Sequence, residues 1–446
     1  MKDSISKNNI TKFNKEFKSN PTNKISRNAL TRSQIDNIAM DWDAFRMVDH
    51  TYSNVVTNEM KQVTNQKASG RCWGFAGLNL MRISIAEKYN LANFEFSQNY
   101  FMFFDKLEKS NYFLENILKT LDESYDSRLM MHLLDSPVQD GGQWDMFVNL
   151  IEKYGVVPQS VMAESFQSSQ SRMMNQFLTR KLREFAWTLR SMNDKGKKIA
   201  DLRKEKEQMM SVIYTMLCIC LGDPPTKFDW QTRDKKNKFI RLTDLTPQDF
   251  YKKHCNIDLK DKVCLIHAPM SNKKMNELYT VSYLGNVVGG QIIKYANVEI
   301  DDIKKAAVKS IKSNESVWFG CDVGKMFHRQ LGLMHMDLYD YEALFGTKFK
   351  MNKATRLEYG DSQMTHAMLF TGVDLADGKS RRWRVENSWG TKGGDKGYYL
   401  MTDRWFDEYN YEIVVDKKYL PKRILDLFNR EPVALEPWDP MGALAI

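Results

Sequence analysis

Eight residues, Gln66-Lys67-Ala68-Ser69-Gly70-Arg71-Cys72-Trp73, constrain this chain more than any other stretch. A polar run ends there and an apolar one begins, with Trp73, Phe75, Ala76, Leu78, Leu80 and Met81 spaced as on a buried helix. A helix starting at Cys72 leaves its first backbone N–H groups unpaired and presents the positive end of its dipole. A thiol placed there is expected to ionise more easily, and the thiolate is the nucleophile. Gln66 adds a side-chain amide upstream. With the loop folded back, that amide and the Cys72 N–H can meet one developing oxyanion.

A thiol nucleophile needs a general base and a group that orients the base. Of the seven histidines, His366 is the best placed, opening a predicted strand just after the turn-like Gly360-Asp361-Ser362. Asn387 closes the strand expected beside it, where its carbonyl could accept the imidazole N–H and fix the tautomer. Trp389 could then shield that bond from water. A metal site is not expected. Cys321, His328 and His335 stand seven apart, which is not a zinc-ligand spacing, and no Cys-x-x-Cys or His-Glu-x-x-His occurs. Neither a phosphate loop nor a dinucleotide fingerprint is present, so no cofactor is expected.

The rest of the chain reads as helices first and strands last, an α+β order. Residues 1–35 form an arm in which Asn20-Pro21-Thr22-Asn23 reads as a turn. Residues 36–165 hold the nucleophile helix, an aromatic-rich helix from about Phe94 capped near Ser97, and Gly141-Gly142 before a helix Trp144–Tyr154. The glycine pair lets backbone approach closely and could bind an extended substrate. Residues 166–315 are expected to be mostly helical. Met173, Met174, Phe177, Leu178, Leu182, Phe185 and Leu189 make a packing stripe, and Cys218 and Cys220 read as buried structural thiols. Thr246-Pro247 starts a helix. Residues 316–420 supply strands near 317–321, 366–373, 381–388, 397–401 and 411–415. Residues 421–446 form a Pro-containing tail, Glu436-Pro437-Trp438-Asp439-Pro440 and then small apolar residues.

Composition narrows the setting. A length of 446 residues allows about three domains, and no apolar run approaches the roughly 18 residues of a membrane span. The start lacks a signal core, and six scattered cysteines form no disulfide framework, so a reducing cytoplasm is expected. The net charge of +9 permits nucleic-acid contact without requiring it.

The segment Asn65 to Trp73 resembles the nucleophile motif of the bleomycin hydrolase and aminopeptidase C family, cytoplasmic papain-like cysteine aminopeptidases. Met364-Thr365-His366-Ala367-Met368 and Glu386-Asn387-Ser388-Trp389-Gly390 match that family's base and orienting Asn, and Gln66 its oxyanion glutamine. Gly141-Gly142 resembles its substrate-binding glycines. The likeness runs from Ser26-Arg27-Asn28 to the end of the chain. It departs from secreted papains in having Gly70-Arg71 before Cys72, which removes a disulfide partner, and in a gap of 294 residues between Cys72 and His366, against roughly 130–150. The surplus falls in the block 166–315.

The resemblance implies a two-lobe papain-like core, a helical lobe and a β-barrel-like lobe, with that block as an oligomerisation insertion and a homohexamer as the assembly. It implies peptide substrates with a free N-terminus. It also implies a tail lying in the cleft, so that Ala445 and Ile446 join the substrate site and the terminal carboxylate meets the substrate amine. Family tails stop at the equivalent of Ala445; Ile446 is extra, and one hypothesis is that the enzyme trims it. Alternative readings are an endopeptidase with the tail displaced, an additional weak nucleic-acid-binding role centred on Lys235-Lys236-Asn237-Lys238, and, least favoured, a scaffold without activity.

Overall fold

The computed structural model describes residues 3–46, 49–57, 60, 62–255 and 257–445. The nucleophile helix α1 runs Cys72–Tyr89 and is buried on nearly every side through its first three turns, which is why its sequence shows no polar face. Helix α2 (Gln98–Lys119) starts where expected, with the Ser97 hydroxyl accepting from the Tyr100 N–H at 2.9 Å. Helix α3 is Trp144–Tyr154. The long helical pattern that follows is two helices, α4 (Arg172–Asp194) and α5 (Ile199–Leu221), broken at Gly196, whose φ of 73° no ordinary side chain favours.

Three local readings change. Asn20-Pro21 is not a free turn: the Asn20 side chain caps the Thr22 N–H at 3.0 Å and Pro21 is the first residue of a helix Pro21–Leu30. In the methionine-rich stripe of α4, Met174, Leu178, Leu182, Phe185 and Leu189 are buried, but Met173 and Phe177 are half exposed. Cys218 and Cys220 are only partly buried, because they sit on the last turn of α5 beside the exposed Ile219.

The block 166–315 is helical almost throughout as far as Leu221 and mixes strands with helices beyond it. A hairpin, Phe228–Arg233 with Phe239–Leu245, and a helix Pro247–His254 capped by Thr246 come next. The chain then lays down β1 (Lys262–Ile266), β2 (Glu277–Val281) and β3 (Tyr295–Asn297), followed by helix α6 (Ile300–Lys312). The expected later strands are β4 (Val317–Cys321), β5 (His366–Ala376), β6 (Lys379–Glu386), β7 (Tyr398–Thr402) and β8 (Asn410–Asp416); β9 (Val433–Leu435) is added near the end. All nine join one sheet in the order β9-β2-β3-β1-β8-β4-β5-β6-β7, extended past β7 by Leu333–Met334 and Phe327–His328. Strands that the sequence pattern kept in separate blocks are therefore neighbours, since β1 pairs antiparallel with β8.

Side chains alternate across the middle of this sheet. Trp318, Leu369 and Val414 face α1, α2 and α3, while Phe319, Phe370 and Ile413 face α6. Both faces are covered, so these strands read as continuous apolar runs. The Trp318 indole N–H donates to the Trp73 carbonyl at 3.1 Å and fastens α1 to β4. No helix among the described residues is long and apolar enough to cross a membrane.

Candidate active site

Cys72 is the first residue of α1, and His366 is the first residue of β5. Both line one cleft of about 880 Å³, together with Gln66, Gly70, Gly141 and Leu444. His366 Nε2 lies 2.8 Å from Asn387 Oδ1, and both residues are buried. With Nε2 donating to the amide oxygen, Nδ1 is the ring nitrogen free to exchange a proton. Trp389 covers the pair, its ring 4.7 Å from the imidazole, and the Arg329 guanidinium lies 4.4 Å from the same indole. Behind Asn387, the buried ion pair Arg82–Glu386, at 2.6 Å, ties α1 to the end of β6.

Gln66 is fixed by residues beside Asn387. Its N–H donates to the Ser388 carbonyl at 2.9 Å, and its Oε1 accepts from the Ser388 hydroxyl at 2.6 Å. The amide nitrogen donates one hydrogen to the Ser69 carbonyl at 2.6 Å. An amide nitrogen carries two, so the second is available to the cleft.

Burial changes the expected protonation. It pushes the Cys72 thiol up to about 11 and the His366 imidazole down to about 4, since each charged form loses hydration. The N–H groups of Ala367, Trp73 and Cys72 pull the thiol partway back, and the charge of Asp140 opposes them. The helix-start effect read from the sequence is thus present but outweighed. Burial therefore disfavours the charged form of each group taken alone.

The glycine wall is held tightly. Lys109 Nζ donates to the carbonyls of Gly141, at 2.5 Å, and Gln139, at 2.9 Å. A Cβ on Gly142 would lie 2.5 Å from the Trp73 ring, so no other residue fits there. The Gly142 N–H donates to the Leu444 carbonyl at 3.1 Å, so the tail, whose Leu444 lines the cleft, takes up a backbone donor of the glycine wall. The tail is anchored rather than frayed. Lys273 and Asp439 form a buried ion pair at 2.6 Å, Met441 is fully buried, and its carbonyl accepts from Tyr295 and Gln143. Ala445 ends the short turn Pro440–Ala445; Ile446, and with it the terminal carboxylate, lies outside the described residues.

Sequence reasoning passed over Asp140, Lys109 and Ser388 as functional residues. Each adjoins or holds a residue that was singled out, but its partner lies 32 to 322 positions away, which no local pattern reveals. All six cysteines are unpaired, and Arg71, standing before the nucleophile, forms a forked ion pair with Glu164 instead.

A model of the Peptidase C1-like family matches residues 4–442. The chain is 46% identical to the Aminopeptidase C of Listeria monocytogenes serovar 1/2a over 437 residues, covering 98% of each protein. It is 45% identical to the Bleomycin hydrolase of Homo sapiens over 438 residues, covering 96% of each. The crystal structure of pepw from Lactobacillus rhamnosis HN001 superposes with a TM-score of 0.97 at 46% identity, covering 99% of both chains. On this match of sequence and architecture, with a cysteine and a histidine lining one cleft and a buried asparagine bonded to the histidine, the chain belongs to the Peptidase C1-like family and has its papain-like fold.

Proposed function

We infer that this chain is a cysteine-type aminopeptidase that releases N-terminal residues from peptides, as the names of its relatives imply. The observation that carries the residue roles is the buried His366–Asn387 bond opening onto the cleft that Cys72 lines. In the proposed reaction the Cys72 sulfur attacks the carbonyl carbon of the first residue while its proton passes to His366 Nδ1. The carbonyl oxygen takes the negative charge and is met by the Cys72 N–H and the free hydrogen of the Gln66 amide. His366 then gives its proton to the leaving nitrogen, the C–N bond breaks, and a thioester remains. Water, losing a proton to His366, attacks the thioester; the freed amino acid leaves and the thiol is restored.

The tail supplies the exopeptidase limit in this reading. Leu444 occupies the Gly142 donor that a longer substrate would need, which supports a cleft with room for little beyond one residue upstream of the cut. The terminal carboxylate is proposed to pair with the substrate amine, and trimming of Ile446 would set its position. Hydrolysis of aminoacyl reporter amides, beside their N-acetylated forms, tests this. Free amines should be cleaved and acetylated ones spared, and a chain lacking residues 442–446 should accept both. Cleavage of acetylated substrates by the intact chain would favour the endopeptidase reading.

Assembly and setting are part of the proposal. Exposed apolar side chains on α4 and α5, among them Phe177, Trp187 and Ile219, support self-association, for which the proposed state is a homohexamer; light scattering would measure it. Six unpaired thiols support a reducing cytoplasm. Lys235-Lys236-Asn237-Lys238 forms the turn of the hairpin, an exposed basic tip. Weak nucleic-acid binding by that tip should weaken steeply with salt and survive Cys72→Ala.

A further inference from the structure

Asp140 stands between the nucleophile loop and the glycine wall. Its Oδ2 accepts from the Gly70 N–H at 2.8 Å and from the Ser171 hydroxyl. Its Oδ1 accepts from Asn175 Nδ2 at 2.7 Å and pairs with Lys106 Nζ at 2.7 Å. A carboxylate has about four lone-pair sites, so this one is saturated and has no capacity left to act as a base. The backbone carbonyl of Asp140 takes the Trp73 indole N–H at 2.6 Å. Asp140 therefore grips the chain on both sides of Cys72. The fit is close: a Cβ on Gly70 would lie 2.9 Å from the Asp140 Cβ.

Two of these donors, Ser171 and Asn175, open helix α4. The stretch leading into α4 holds the same loop twice more. The Ala68 N–H donates to the Ser169 carbonyl at 3.0 Å, and the Arg71 guanidinium forks onto Glu164 at 2.9 and 2.7 Å. Residues 164–175 thus clasp residues 68–71 from outside α1, and Asp140 is where that clasp meets the wall.

We propose that Asp140 is a positioning residue for the nucleophile, through which residues 164–175 hold the Cys72 thiol and amide in register with Gly141-Gly142. This rests on the reading of Cys72 as the nucleophile. The physical case is one of tolerance: a misplacement of about 1 Å at the reacting atoms can cost on the order of 10²-fold in rate. The loop 66–71 has no helix or strand of its own to supply that precision. Asp140 faces Lys106 and, further off, Lys109 and Asp105 of α2, while α4 offers it the neutral donors Ser171 and Asn175 and brings Arg172, Arg180 and Arg183 to the same cleft. Cys72 feels the charge of Asp140 and the thiol of Cys321 on β4, and it shares the cleft with His366 of β5.

Two variants test the proposal: Asp140→Asn, and Ser171→Ala combined with Asn175→Ala. Each should lower kcat by about 10- to 100-fold with KM changed by less than about threefold. The pH dependence of Cys72 alkylation by iodoacetamide should separate positioning from mere structural support. Asp140→Asn removes a negative charge near the sulfur, so alkylation should shift to lower pH. The double variant leaves that charge but strips two donors that spread it, so alkylation should shift to higher pH. Shifts in the same direction, or a double variant with unchanged kcat, would overturn the proposal. If Asp140→Asn leaves Lys106 unpaired and fails to fold, the double variant, which keeps that pair, decides alone. Turnover surviving in Cys72→Ala would instead defeat the underlying nucleophile assignment.

Discussion

The N-terminal helices Lys7–Ser19 and Pro21–Leu30 are well formed and capped by Ser6 and Asn20, yet neither buries a single residue. The C-terminal stretch Pro440–Ala445 forms only a short 3-10 turn, yet Met441 is fully buried and Asp439 is paired in the interior. The contrast separates two things that sequence reading tends to merge. Caps and propensity decide whether a segment is regular, each contributing about 1 kcal/mol. Burial and ion pairing decide whether it has a fixed place. The chain places its irregular end in the cleft and leaves its regular end exposed.

The contrast can be broken most forcefully at Asp439. Asp439→Ala leaves Lys273 charged, unpaired and buried, and should cost about 3–5 kcal/mol in chemical denaturation. The tail should loosen as well, so N-acetylated peptides should now be cut. A stability loss without that gain would separate the anchor from the exopeptidase limit.

Next in size is a pH effect under the tail. Glu412 is fully buried, and burial raises its carboxyl to about 8. Tyr295, which donates to Met441, feels that carboxyl. Unfolded, a glutamate titrates near about 4.3, so between the two values the folded chain holds a proton that the unfolded chain has released. Stability should therefore fall as pH rises through that window, by about 2–4 kcal/mol from pH 5 to pH 8. Glu412→Gln should flatten the curve, leaving the smaller slope from Asp145, which burial raises to about 7. An unchanged slope in denaturation series at the two pH values would count against this assignment.

A smaller loss is expected at Trp438, whose ring lies 3.9 Å from the Arg128 guanidinium. Trp438→Ala should cost about 1–2 kcal/mol, read as a modest fall in Tm. The arm should respond least. Ile10→Asp, on an exposed face of the first helix, should change the stability of the isolated chain by under about 0.5 kcal/mol. A larger change, or one that depends on protein concentration, would mean that the arm is covered in the assembly.

Much of the site was legible because its chemistry is written in short runs. A helix had to begin at Cys72, a strand at His366, and an amide had to follow at Asn387. The helix start that favours the Cys72 thiolate is visible in sequence, whereas the burial that pushes the thiol the other way is not. Asp140, Lys109 and the Lys273–Asp439 pair were missed for a related reason. A buried charge is named by its partner, and these partners come from distant elements. The joining of β1 to β8 escaped likewise, since strand pairing across about 150 residues leaves no local trace.

The tail enters the cleft from β9, which lies parallel to β2 at the edge of the sheet, and is pinned again at Asp439. Met441 and Leu444 hold it further, and past Leu444 only the number of residues sets how far the chain reaches. Each residue advances it by about 2 Å in a tight turn or about 3.3–3.6 Å when extended. Under the proposed role of the tail, the number of residues after its last anchor then acts as a ruler. A chain shortened past the proposed trimming point, lacking Ala445 as well as Ile446, would release longer products, shifting from single amino acids toward dipeptides.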